Sequence, residues 1–188
     1  MGKRKGKGEG QVGERLRAAA EELDLVRLER GEIEPLEGYV VGVGEQWCLV
    51  ARLDPALVLD GHVAVRLQDL SRLRTPPRQE VAQGALVLRE QWPPRAPEGV
   101  QLDDVRSVVT SLAAPLVTVH PEHDDPDVCF VGQPRGFGRR TLWLRELTPA
   151  ATWTNDVTKH RLDAITRVDV GGRYEQALLE LAGPPPAD

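Results

Sequence analysis

Between His120 and Asp127 the chain reads HPEHDDPD, its densest run of side chains able to hold a metal. His120, Glu122, His123 and Asp125 offer two imidazoles and two carboxylates, a donor set that suits zinc or manganese. Pro121 and Pro126 interrupt regular structure, so the same stretch also reads as a solvated loop between two strands. A second acidic stretch, ERGEIEPLEG from Glu29 to Gly38, carries no histidine, and charge there serves solubility alone.

A second constellation is RGFGRR, which sets Arg135, Arg139 and Arg140 around Phe137 on flexible glycines. Guanidinium groups pair with phosphate and an aromatic ring stacks on a base, which is nucleic-acid chemistry. Lys3, Arg4, Lys5 and Lys7 add four positive charges within the first eight residues. Of the four tryptophans, Trp47 and Trp143 lie in apolar runs and are expected in the core. Trp92 precedes two prolines and is expected to pack the linker onto a barrel. Trp153, in the polar run ATWTND, is the candidate anchor for a partner, with packing under its own loop as the alternative reading. Arg72 and Arg167 are expected to pair with the nearby Asp69 and Asp169, and His62 and His160 receive no role.

Catalytic motifs are missing. There is no phosphate-binding P-loop, nucleophile elbow, HExxH or CxxC pair, and Gly42-Val43-Gly44 fits a hairpin better than a dinucleotide site. The sequence implies no cofactor and leans away from an enzyme. Cys48 and Cys129 form neither a disulfide framework nor a zinc site, which fits a reducing, cytoplasmic setting. No apolar run approaches the roughly 18 residues of a membrane span. Net charge is −5, but without the four N-terminal charges the body carries 20 basic against 29 acidic residues. Such a body repels a phosphate backbone unless a local patch prevails. Outside the first seven residues Lys159 is the sole lysine, and the preference for Arg, Ala, Gly, Pro and Val is that of a GC-rich bacterial genome.

What positions these groups is an apparent repeat. RLQDLSRLR at Arg66–Arg74 is echoed by RLDAITRVD at Arg161–Asp169. Leu16, Ala19, Ala20 and Leu23 form the stripe of an amphipathic helix, matched by Val105, Val108, Val109 and Leu112, with Asp103 or Asp104 as cap. Leu25–Glu29 pairs with Leu116–His120, Tyr39–Gly42 with Cys129–Gly132, Arg52–Ala56 with Glu146–Ala150, and Ala85-Leu86 with Ala177-Leu178. The separations drift only between 89 and 96 residues, which short loop insertions explain. Each half then reads helix, short strands, helix, with a hairpin at Gly42–Gln46 and an Asp60-Gly61 turn. Gly132–Arg140 and Pro149–His160 read as loops in which the second half diverges from the first.

Short strands at this spacing hide their edges by curling into a small barrel. The pattern of Gly-flanked hairpin, Asp-Gly turn and a strand ending DLSRL or AITRV resembles SH3-like and Sm-like barrels over Leu25–Arg74 and Leu116–Asp169. The resemblance implies fold only. The expected architecture is β-rich α+β, a tandem duplication of such a barrel with flanking helices: a disordered basic tail over 1–11, a first unit over 12–90, a Pro-rich linker over 91–99, a second unit over 100–183 and a disordered tail over 184–188. The expected function is a non-enzymatic interaction or scaffold module that binds another protein or its own copy. The alternative is a nucleic-acid-binding regulator using the basic N-terminus and the Arg135–Arg140 stretch.

Overall fold

The computed structural model describes residues 5–112 and 114–186, with side chains described from residue 12 onward. Helix α1 (Lys5–Glu22) precedes strands β1 (Leu25–Arg30), β2 (Ile33–Val43), β3 (Trp47–Leu53) and β4 (Leu59–Arg66). A 3-10 turn (Leu67–Asp69) leads into β5 (Arg72–Arg74) and helix α2 (Gln79–Leu88). Helix α3 (Val105–Leu112) opens the second half and is followed by β6 (Val117–His120), β7 (Phe130–Phe137), β8 (Thr141–Leu147), β9 (Trp153–Arg161), β10 (Arg167–Val170) and helix α4 (Arg173–Ala182). The fold is therefore sheet-rich α+β, as expected. Among the described residues no helix is long and apolar enough to cross a membrane.

All ten strands join one open antiparallel sheet in the order β5-β1-β2-β3-β4-β10-β6-β7-β8-β9. The two closed barrels expected from sequence are not seen, because β5 and β9 are left at the ends of the sheet. Residues 25–74 nevertheless run β5-β1-β2-β3-β4 across the sheet, and residues 117–170 run β10-β6-β7-β8-β9. The fifth strand of each segment returns to pair with its first: Leu73 lies opposite Leu28, and Val168 opposite Val119. The segments meet where β4 pairs with β10, Ala64 opposite Val168.

Bulges bend corresponding strands. The β2–β3 register slips between Val40 and Gly42, and the β7–β8 register between Pro134 and Gly136. Gly38 faces Arg52, and Gly132 faces Glu146. A Cβ at Gly38 would stand 2.3 Å from the Ala51 carbonyl oxygen, and one at Gly132 2.6 Å from that of Arg145. Only glycine permits such backbone approach. These registers match Gly38 with Gly132, so the expected pairing of Tyr39–Gly42 with Cys129–Gly132 was displaced by four residues.

Three other local expectations change. Asp60-Gly61 lies inside β4, and the β3–β4 turn is closed instead by Asp54 and Val58, 3.0 Å from nitrogen to oxygen. Gly61, at φ +69°, lets β4 approach the strand end at Val170, whose carbonyl a Cβ would meet at 2.4 Å. The stretches read as loops are mostly strand: Gly132–Phe137 belongs to β7, and Trp153–His160 to β9. Their polar side chains hid strands that pair through the backbone with β8.

Helices cover both faces. Leu16 and Ala19 of α1 bury against Val26, Leu28, Val40, Val50, Val63 and Val65. The matching stripe on α3, Val108, Val109 and Leu112, packs on Val117, Val119, Leu142 and Leu144, and the same cluster includes Trp47, Leu49 and Ala64 from the first segment. Asp104 caps α3 as expected, its carboxylate accepting from the Ser107 amide at 2.7 Å.

Candidate interaction surfaces at the seam and the sheet edges

The four candidate metal ligands point to separate partners. Glu122 is buried against Arg30, Oε2 to Nη1 2.5 Å, and accepts from the Thr166 hydroxyl at 2.7 Å. His123 is exposed and meets Asp69 at 3.0 Å. Asp125 accepts from the Asp127 amide within its own loop. His120 faces Asp169, Nε2 to Oδ2 3.5 Å. Among the described residues no group of three or more His, Cys, Asp or Glu is arranged to hold a metal ion.

This dispersal has a physical cause: the loop ties the two segments together. Arg30 ends β1 in the first, while Glu122 and Thr166 belong to the second. A buried ion pair with one partner removed leaves an uncompensated charge in low dielectric. Around the β4–β10 seam the charges continue. Arg167 chelates Asp169 beside it, as expected from sequence. Arg72 makes no such pair, because Asp69 is engaged by Arg66 at 2.7 Å. Asp60 on β4 accepts from the Arg173 amide at 2.8 Å and so caps α4 across the seam. Burial alone would raise the Asp60 carboxyl, but that amide together with Arg52 and Arg173 holds it below its usual value.

A cavity of about 180 Å³ opens at this seam, lined among others by His120, Cys129, Arg167, Asp169 and Glu175. Thiol, imidazole and carboxylate together invite comparison with a nucleophilic triad. The electrostatics run the other way. Burial, with the negative charges of Asp169 and Glu175, pushes the Cys129 thiol up, opposite to the thiolate a nucleophile needs. Burial also works against the Asp169 carboxylate, yet the neighbouring His120 ring and Arg167 outweigh it and hold its pKa down at about 2. The seam is an ion-pair junction in its chemistry.

A larger cleft, about 920 Å³, lies between the segments and includes Arg17, Glu45, Arg66, Asp104, Arg106 and Arg139. Of the Arg135–Arg140 stretch, only Arg139 reaches it. Arg140 pairs with Asp163 at 3.4 Å, and Arg135 meets Gln133. Phe137 is half-buried, with the Arg106 guanidinium 4.6 Å from its ring centroid. Lys5 and Lys7 fall within α1, whereas Lys3 and Arg4 lie outside the described residues.

The tryptophans divide differently from the sequence expectation. Trp47 is buried as expected, and Trp92 meets Tyr39 edge to face at 5.4 Å, on an open sheet where a barrel was expected. Trp153 donates through Nε1 to the Gly183 carbonyl, and its ring packs beside Leu147 and Leu178. Trp143, expected in the core, is 36% exposed on β8 beneath the ammonium of Lys159. Its strand TLWLREL alternates, with Leu142 and Leu144 buried, and that period of two is the signal that places Trp143 on the outer face. The outlying lysine in sequence, Lys159, likewise marked an edge strand, where lysine guards open backbone groups. Comparison of the chain with protein-family models, curated proteins and solved structures finds no match.

Proposed function

We propose that the protein is a non-enzymatic interaction module built from two SH3-like or Sm-like units in tandem, fused where β4 meets β10. The repeated strand order, the matching bulges and the corresponding glycines support the duplication. The observation that carries the functional reading is the pair of strands, β5 and β9, that end the sheet with one edge each left open, β9 beside exposed Trp143. Open edges are templates for another strand, and an aromatic beside one supplies contact energy at low entropic cost. A pull-down with the full chain and with Trp143→Ala tests it. The wild-type chain retains a partner or its own copy, and the variant loses at least about tenfold of it. A chain that stays monomeric and retains nothing overturns the reading.

The cleft favours a second reading, a site for nucleic-acid phosphates. Arg17 and Arg139 line it with no hydrogen bond or ion pair among the described residues, and of its three acids, Glu45, Asp104 and Asp163, the last two are already engaged by Ser107 and by Arg140 and Arg161. Binding of a labelled single-stranded oligonucleotide would weaken steeply with salt and fall about tenfold in Arg17→Ala/Arg139→Ala. No binding at low salt discards it.

A further inference from the structure

The junction inside the molecule specifies what fits its open edges. At the seam β4 pairs antiparallel with β10: Val65 opposite Arg167, Ala64 opposite Val168, Val63 opposite Asp169. On the other side of β4, Ala64 faces Leu49 and Val65 faces Cys48. In the second segment Lys159 faces Trp143 and His160 faces Leu142. With the bulges aligned, β9 therefore stands where β4 stands, with Thr158, Lys159 and His160 in the places of Val63, Ala64 and Val65. By the same registers β5 stands where β10 stands, because Arg72, Leu73 and Arg74 face β1 as Arg167, Val168 and Asp169 face β6. One end of the sheet is thus a β4-like edge and the other a β10-like edge.

We propose that copies of this chain associate head to tail, β9 of one adding antiparallel to β5 of the next in the register Arg72 opposite His160, Leu73 opposite Lys159 and Arg74 opposite Thr158. The proposal rests on the interaction-module reading and names its partner as a second copy. Two features of the edges favour the match. Residues directly opposite share a face, so exposed Arg72 and Arg74 come to the face where Thr158 and His160 both contact the Glu146 carboxylate. On the other face Leu73 comes to the Lys159 stem and to Trp143, whose counterpart Leu49 is fully buried at the internal seam. The Leu73 carbonyl now accepts from exposed Arg15 of α1 at 3.0 Å, a contact that an incoming strand displaces. Unlike edges make a heterologous interface, which closes as a ring or continues as a filament.

The test uses the full chain in a Cys129→Ser background, with Leu73→Cys and Lys159→Cys together, exposed to a mild oxidant. Cβ atoms of directly opposed residues lie about 4.5–5.5 Å apart, within reach of a disulfide. The expected product is a ladder of covalent multimers of the 20.7 kDa chain. Leu73→Cys with Thr158→Cys, which places the thiols on opposite faces, yields at least about fivefold less. Sedimentation of the unmodified chain shows concentration-dependent species above monomer, reduced in Trp143→Ala. Equal cross-linking by both cysteine pairs overturns the register. A monomer at every concentration that forms no ladder overturns self-association, and Lys159 then acts as an edge guard. If Trp143 still retains a different protein in the pull-down, the interaction-module reading survives that failure.

Discussion

Strands β3 and β4 of the first segment and β8 and β9 of the second occupy corresponding places in the sheet, yet their outer faces differ. In the first, Trp47, Leu49 and Ala64 are buried with α3 and Leu102 in a cluster shared by both segments. In the second, the corresponding places hold Thr141, exposed Trp143 and exposed Lys159. The inner faces diverge as well: Val63 and Val65 are buried, while Thr158 and His160 bond to Glu146. Side-chain character follows whether a neighbour is present. Where β10 and α3 cover the strand the residues are apolar, and where β9 ends the sheet they are polar, with one aromatic left uncovered.

Breaking the seam should cost most. Glu122→Ala strands the buried Arg30 guanidinium and is expected to destabilise by about 3–5 kcal/mol, measured by urea unfolding. Leu49→Ala opens a hole under α3 and is expected to cost about 3 kcal/mol. Asp169→Asn removes a carboxylate held near 2 from an ordinary 3.8, a loss of about 2 kcal/mol at neutral pH. The sign follows from the depressed pKa. The contribution is present above the unfolded value and is lost as pH falls toward 2, so the gap between wild type and Asp169→Asn closes in acid and is constant from pH 5 to 8. Trp143→Ala, the counterpart of Leu49→Ala on the uncovered face, is expected to shift monomer stability by less than about 1 kcal/mol. An equal loss at both positions would erase the contrast between covered and open faces.

Much of the fold was legible because local rules act on local residues. The stripe Leu16–Leu23 and its echo Val105–Leu112 became α1 and α3, and Gly42–Gln46 marked the β2–β3 hairpin. Arg66–Arg74 and Arg161–Asp169 fell at matching strand ends. The slip at Tyr39–Gly42 arose because short Val- and Gly-rich phrases align equally well in two registers, and only the partners Arg52 and Glu146 decide between them. The candidate site was less legible. Trp153 sits in a polar run but is claimed by α4, a contact within the second half that composition does not encode. His120, Glu122, His123 and Asp125 are neighbours in sequence whose partners, Asp169, Arg30, Asp69 and the Asp127 amide, pull them apart.

The amino-acid order by itself determined where α1, α3 and the β2–β3 hairpin lie and which stripe of each of those helices is apolar, because periodicity and turn chemistry are properties of a few consecutive residues. Tertiary structure alone decided that β4 takes β10 instead of closing on its own segment, and so which strands are left at the ends. Backbone N–H and C=O groups are the same on every strand, and the choice among edges is made by side chains brought together from distant parts of the chain.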